Sequence, residues 1–338
     1  MMRLPWFEHR SPKTLGEAAR VLAGEGPAAM LVAGGTDLLP NMKRRQQTPA
    51  TLVSLRQVEA LQRFANGSGL RLGSGLTLAE VAGAQKVRAD YAGLAQAAAL
   101  VATPHLRNMG TLGGNLCLDT RCSYYNQSYE WRKAIDFCMK RDGETCWVAT
   151  ASKRCLAVTS TDTAPALISL GASVRLVSAA GEREVALASF YRNDGIEYMV
   201  RRPDEILAEV LLPANAGWRS TYWKLRRRGS FDFPVLGVAA AAKLAADGTV
   251  EAARLVLGAV SSHPLVIKAD GLVGRKLTDE VITGIAETAQ SRAKPMDNTD
   301  LDLRWRKDVT AEYVRYALRE LRGDDMREVR MRTALQAV

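Results

Sequence analysis

An Ala- and Leu-rich stretch runs through Ala23 behind Thr14 and Glu17, whose spacing is that of a capping box, so the pattern predicts a helix opening near residue 15. A short apolar run at 29–33 then meets Gly34-Gly35 and passes into a mixed polar and apolar segment, read as strand, turn and helix. A second such unit begins where Leu70 and Leu72 alternate with polar neighbours, before Thr77 and Glu80 repeat the capping-box spacing. Residues 91–102 read as a helix rich in small side chains. Periodicity fails through "ATPHLRNMGTLGGNL", where a Gly-Gly-Asn turn is expected at Gly113, Gly114 and Asn115.

Farther along, Asp162 or Thr163 is placed to cap a short helix with Pro165 in its first turn; Gly171 stops it, and 173–177 leaves as a strand. Residues 206–212 form another strand before Pro213. From about Gly217 the runs lengthen. "STYWKLRRR" and "PVLGVAAAAKLAADGTVEAARLVLGAV" read as strands, the second folding back at Asp247-Gly248, and amphipathic helices follow at about 279–293 and 308–322. The texture divides the chain near 60 and near 215 into two αβ modules, 1–60 and 61–215, and an antiparallel sheet with helices, 216–338.

With 338 residues, 47% of them hydrophobic, the chain can bury a sizeable core. No window approaches the apolar length of a membrane span, and "MMRLPWFEHRSPK" lacks the marks of a secretory signal, so a cytoplasmic location without membrane contact is expected. That compartment disfavours disulfides, which sharpens one feature: all five cysteines, Cys117, Cys122, Cys138, Cys146 and Cys155, fall in a single stretch. The net charge of +10 is dispersed, with short runs only at 43–45, 201–202 and 226–228, and aromatics are 6% of residues. This argues against nucleic acid and for an acidic protein partner or cofactor phosphates. His9, His105 and His263 are the only histidines, so a histidine-based triad or metal site has little material, and no catalytic residue is expected.

Gly34-Gly35-Thr36 and 111–115 can each bring main-chain amides against an anion, because glycine allows close approach and positive φ. Neither matches G-x-G-x-x-G or the phosphate loop ending in G-K-S/T, which argues against a nicotinamide fold and against nucleoside triphosphate hydrolysis. Either alone is equally a tight connection.

Together with their surroundings they are more specific. "LVAGGTDLLP" at 31–40, "RNMGTLGGNL" at 107–116 and "STDTAPALISLGA" at 160–172, followed by "YWKLRRRGSFDFPVLGVAAA", resemble in kind and order the FAD-binding signatures of the flavin subunits of molybdenum hydroxylases, the xanthine dehydrogenase and carbon monoxide dehydrogenase group. The resemblance covers essentially the whole chain. It implies an α+β architecture: a two-subdomain FAD-binding domain of the vanillyl-alcohol-oxidase-like type, then a C-terminal antiparallel sheet with helices of the carbon monoxide dehydrogenase flavoprotein type. It further implies that Leu31, Val32, Ala33, Gly34, Gly35, Thr36, Asp37 and Leu38 wrap the FAD pyrophosphate, that Thr111, Gly114 and Asn115 form the second loop, and that Val101 belongs to the same site. Asp162 would accept hydrogen bonds from the ribose or nearby groups. Leu207 and Lys224 would sit near the isoalloxazine, with Lys224 favouring negative charge on reduced flavin. Read singly, Asp162 is equally a helix cap, Leu207 strand core and Lys224 a surface lysine.

In most relatives the GGNLC-like segment runs quickly into the third signature, whereas here Cys117 and Asp162 stand 45 positions apart. Residues 118–158 are therefore an insertion, carrying Cys122, Cys138, Cys146 and Cys155. Four thiolates close a tetrahedral zinc site or hold a cubane. The intervals of 16, 8 and 9 positions contain no C-x₂-C pair of the kind structural zinc sites use. The insertion resembles that of the 4-hydroxybenzoyl-CoA reductase branch, whose flavin subunit holds an extra [4Fe–4S] cluster. That resemblance implies FAD and [4Fe–4S] as cofactors, reduced ferredoxin as electron donor, a [2Fe–2S] small subunit and a molybdopterin-containing large subunit as partners in a dimer of heterotrimers, and removal of the phenolic hydroxyl of 4-hydroxybenzoyl-CoA on the large subunit. The alternatives are a conventional flavin subunit delivering electrons to NAD⁺ or quinone, and a zinc-stapled scaffold without flavin. The basic residues of the insertion, Arg121, Arg132, Lys133, Lys140, Arg141, Lys153 and Arg154, are expected to form a collar that steers an acidic donor.

Overall fold

Strands β1 (Glu8–Arg10), β2 (Ala29–Val32) and β3 (Thr51–Ser54) form a small parallel sheet in the order β1-β3-β2. Parallel strands need crossovers, and the helix Leu15–Glu25 carries the chain from β1 to β2, leaving between them the place that β3 fills. Its capping box is complete: the Glu17 amide donates to Thr14 Oγ1 at 3.1 Å, and the Thr14 amide donates to the Glu17 carboxylate at 3.3 Å. Ala18, Ala19 and Leu22 of this helix pack with Val53 and Leu55, and also with Ile206 and Ala208 of the next sheet. The computed structural model describes residues 2–335.

The second sheet joins β4 (Phe64–Asn66), β5 (Gly69–Gly73), β6 (Ser173–Ser178), β7 (Gly181–Ala186) and β8 (Ile206–Pro213) in the antiparallel order β4-β5-β8-β6-β7. Between β5 and β6 the chain makes a long excursion containing the second capped helix, Leu78–Gly83, both glycine-rich motifs' partners and the cysteine segment. The expected helix at 91–102 stops earlier: it spans Ala92–Ala99, and Ala102 takes a positive φ of 43° before a short turn, Pro104–Arg107. The expected Gly-Gly-Asn turn is instead a short helix, Leu112–Leu116, because Thr111 Oγ1 accepts the Gly114 amide at 3.1 Å as its cap. Glycine serves there for close approach rather than for reversal. A Cβ on Gly113 would run into Ser74.

The third sheet, β9 (Trp218–Leu225), β10 (Leu236–Leu244), β11 (Val250–Gly258) and β12 (Leu265–Ile267), is antiparallel in the order β12-β11-β10-β9. Gly248, with φ of 85°, makes the turn after Asp247. Helices Asp279–Arg292 and Leu303–Arg322 cover one face through Val281, Ile285, Val314 and Leu318. The second helix begins five residues before its apolar pattern does, since the Asp302 carboxylate accepts the Arg304 and Trp305 amides, each at 2.9 Å. The opposite face contributes Tyr222, Ala239 and Val256 to the core of the second sheet, across the helix Thr163–Ser169. Burial on both faces explains why β10 reads as one apolar run. The short edge strand β1, the strand β7 and the helices Tyr129–Ala134 and Arg327–Leu335 carry no periodic signal that identified them in advance.

Residues 118–158 leave and rejoin the body through a two-residue ladder, in which the Arg121 amide donates to the Val158 carbonyl at 2.8 Å and the reverse bond is 2.7 Å. No helix among the described residues is long and apolar enough to cross a membrane.

Candidate functional site

A cavity of about 870 Å³ lies between β2 of the first sheet and β8 of the second, closed by the loops of the long excursion and by Phe231, Asp232 and Phe233 of the β9–β10 loop. Its floor is the loop after β2. A Cβ on Gly34 would overlap the Met109 carbonyl and crowd Gly110, and Gly35 has φ of 70°, so two consecutive glycines are required for the loop to fold against the 107–111 segment. The two glycine motifs, far apart in sequence, are thereby pressed together at one wall. Leu31, Val32, Ala33, Gly34, Gly35, Thr36, Asp37, Leu38, Val101, Thr111, Gly114, Asn115, Asp162 and Leu207 all line the cavity. Asn115 also locks the second motif to the third: its Oδ1 accepts from the Thr161 hydroxyl at 2.8 Å, the Thr163 hydroxyl at 2.6 Å and the Thr163 amide at 3.2 Å.

Lys224 stands behind this wall rather than in it. Asp162 occupies the N-cap position of the helix Thr163–Ser169, yet its carboxylate makes no capping bond. One oxygen accepts from Tyr222 Oη at 2.8 Å and the other from Lys224 Nζ at 2.9 Å, while Nζ also donates to the Leu100 carbonyl at 3.0 Å. The lysine and aspartate side chains are 1% and 3% exposed, so neither the surface-lysine nor the helix-cap reading survives. Burial pushes the Asp162 carboxyl up and the Lys224 ammonium down, and their mutual attraction opposes both shifts. At this distance both carboxylate oxygens are satisfied, and each side chain offsets part of the burial cost of the other.

Asp119, Tyr198, Phe231 and Phe233, which the sequence did not single out, also line the cavity, as do Arg121, expected in the basic collar, and Arg201 of a short basic run. The Arg121 guanidinium lies 4.5 Å from the Phe233 ring centroid, donates to Asn41 Oδ1 at 3.3 Å and ion-pairs with Asp37 of the first glycine loop. Its advance signal was its place among the basic residues of the insertion, which pointed to a partner surface and not to this cavity.

Cys122, Cys138, Cys146 and Cys155 are all buried and line one small second cavity with Tyr124, Tyr125, Met139 and Lys140. Cys117 is elsewhere, at the large cavity beside Arg201. Burial pushes the thiol of Cys122 up to about 12 and that of Cys155 up to about 11, so both are protonated at neutral pH unless a metal displaces the proton. The space enclosed is about 10 Å³. No three His, Cys, Asp or Glu side chains among the described residues converge closely enough to grip a single metal ion. The insertion is docked, not pendant: Gln46 Nε2 donates to the Tyr125 carbonyl at 2.5 Å and Arg132 to the Arg44 carbonyl at 3.0 Å.

The expected basic collar is corrected by these contacts. Lys140 is 6% exposed and paired with Asp119 at 2.8 Å, and Arg121 and Arg132 are buried, so these three cations serve internal packing. Lys133, Lys153 and Arg154 remain exposed, with Arg141 half-buried.

The family profile described as "FAD binding domain in molybdopterin dehydrogenase" matches residues 6–215, and "CO dehydrogenase flavoprotein C-terminal domain" matches 220–321. The aldehyde oxidoreductase FAD-binding subunit PaoB of Escherichia coli (strain K12) is 33% identical over 274 residues, 78% of this chain and 84% of its own. The carbon monoxide dehydrogenase medium chain of Hydrogenophaga pseudoflava is 27% identical over 323 residues, 93% and 96% of the two chains. Among solved structures, carbon monoxide dehydrogenase from Hydrogenophaga pseudoflava matches with a TM-score of 0.76 at 26% identity, covering 95% of this chain and 99% of that one. Quinoline 2-oxidoreductase from Pseudomonas putida 86 matches with 0.75 at 25% identity, covering 95% and 98%. On its sequence signatures, its α+β architecture and these matches, the chain belongs to the FAD-binding subunits of the molybdopterin dehydrogenase family.

Proposed function

We propose that this chain is an electron-transfer subunit that holds FAD in the large cavity and one [4Fe–4S] cluster on Cys122, Cys138, Cys146 and Cys155. The observation that carries the reading is the convergence of four buried thiols from one insertion on a single cavity beside the flavin site. The FAD cavity fits a dinucleotide in size and in its wall of two glycine motifs. The cage fits a cubane in donor chemistry: four sulfurs, with no competing carboxylate or imidazole among its lining residues. Seating a cubane requires the four thiols, and the side chains that line the space with them, to turn outward from the arrangement seen here.

When bound, flavin exchanges electrons singly or in pairs and a cubane one at a time. This chain's part is to bind, orient and shield: the glycine motifs hold the dinucleotide, Asp162 and Lys224 fix charge behind it, and Tyr124 and Tyr125 cover the thiols. No residue here is catalytic. The resemblance of the insertion supports a subunit of the 4-hydroxybenzoyl-CoA reductase type, cytoplasmic, receiving electrons from reduced ferredoxin and working with a [2Fe–2S] small subunit and a molybdopterin large subunit in a dimer of heterotrimers. On that reading the three-module division near 60 and 215 separates two flavin-holding units from the C-terminal sheet. The similarity to an aldehyde oxidoreductase subunit favours a second reading, in which an oxidative large subunit supplies the electrons. Assay of the complex with 4-hydroxybenzoyl-CoA and reduced ferredoxin, against an aldehyde and an artificial acceptor, separates the two.

Anaerobically purified protein is expected to contain about four iron atoms per chain and a broad absorbance shoulder near ~400 nm beneath the flavin bands. Replacing any one of the four cysteines by serine abolishes that shoulder, and Cys117→Ser leaves it intact. Stoichiometric zinc without iron, or loss of the shoulder in Cys117→Ser alone, defeats the assignment.

A further inference from the structure

The walls of the thiol cage and of the large cavity touch through side chains. Asp119 lines the large cavity, and Lys140 and Tyr125 line the cage. Lys140 Nζ donates to Asp119 Oδ1 at 2.8 Å, to Thr120 Oγ1 at 2.8 Å and to the Gly195 carbonyl at 2.6 Å, which uses all three of its protons. Tyr125 Oη donates to the second Asp119 oxygen at 3.0 Å, and the ammonium lies 4.8 Å from the Tyr125 ring centroid. The pair is buried, at 6% and 7% exposure, and cannot swing into solvent.

A buried ion pair adds little net stability over an apolar pair of the same shape, so its orientation is the more informative property. The cation stands at the cage wall and the anion at the wall of the flavin cavity. We infer that the Lys140–Asp119 pair sets the relative electron affinity of the two cofactor positions, the ammonium favouring an electron on the cage and the carboxylate opposing one on the flavin. The inference rests on the cluster reading above. Each electron lost by one centre is gained by the other, and the pair itself takes no part in the exchange.

Equilibrium reductive titration of the purified holoprotein, with flavin and iron–sulfur absorbance followed separately and iron and FAD quantified, tests it. Lys140→Met is expected to make the cage harder to reduce, shifting the distribution of the first electron toward the flavin about tenfold, which is about 59 mV for a one-electron couple. Lys140→Arg restores most of the shift. Asp119→Asn moves the cage in the opposite direction, since it removes the negative partner. A merely structural role predicts lost iron, or shifts of one sign in both variants. If Lys140→Met does not retain iron, Lys140→Arg and Asp119→Asn decide, and an unmoved cage potential in Asp119→Asn overturns the inference. A parent without iron overturns the cluster reading and this inference together; a parent with iron whose potentials ignore both substitutions overturns this inference alone.

Discussion

Gly34→Val is expected to yield protein retaining less than about a tenth of the parental FAD, a loss of more than about 1.4 kcal/mol in binding. The reason is backbone against backbone. A Cβ at Gly34 falls on the Met109 carbonyl and beside the Gly110 Cα, neither of which can rotate away as a side chain would. The two glycine motifs must then part, and their junction is a wall of the cavity. Gly35 and Gly114 respond differently. At Gly35 the nearest atoms belong to the flexible Leu39 side chain, so the cost there comes mainly from its φ of 70°. At Gly114 a new Cβ meets, outside its own helix, only the Thr111 hydroxyl, at 3.0 Å, so Gly114→Val is expected to disturb the fold less than Gly34→Val and to lower FAD content where the cofactor lies against that glycine. The check is the flavin-to-protein ratio after gel filtration, with circular dichroism as the measure of folding. A folded Gly34→Val protein with stoichiometric FAD would falsify the placement of the dinucleotide against these loops.

What the sequence discloses here divides by range. Thr14 with Glu17, and Thr77 with Glu80, each settle a helix start through bonds closed within one turn, and both boxes form as their spacing implies. The order of strand, helix and long late hairpins is legible for the same reason, since periodicity and turn residues act locally, while the α+β class as a whole came from the resemblance of the motifs. Asp162 is where local reading misleads. Its position suits a cap, but the partners that claim its carboxylate, Tyr222 and Lys224, are 60 and 62 positions away. Lys140 repeats the lesson. It looks like one more solvated lysine in a basic insertion until Asp119, 21 positions earlier, is found folded against it. Charge patterning shows which residues can pair and not which are enclosed together. The insertion itself was legible by comparison of segment lengths, while the burial of its four thiols around one space is a property of the closed loop.

Lys224→Met is expected to lower unfolding stability by about 3–5 kcal/mol, the cost of leaving one member of a buried ion pair alone. Asp162 would keep Tyr222 as a donor but lose the cation that, among the described residues, bonds its second oxygen. Burial already holds its pKa above the ordinary value of 3.8, and Lys224 is the largest influence restraining that rise. Without the lysine the folded pKa climbs further. An acid whose folded pKa exceeds its unfolded one binds more protons when folded, so its contribution to stability falls as pH rises between the two values. The deficit of Lys224→Met relative to the parent should therefore shrink as pH is lowered toward about 4, where a protonated Asp162 needs no counter-charge. Asp162→Asn reverses the sign. It leaves an ammonium that burial already pulls below 10.5, and its deficit should shrink as pH rises and Lys224 loses its proton. The double variant Asp162→Asn/Lys224→Met, with no buried charge, should cost less than the sum of the two. Denaturant unfolding of all four proteins across pH measures this directly. Parallel pH profiles in the two single variants, or full additivity in the double, would show that the pair is not the ionised, mutually dependent unit that its geometry describes.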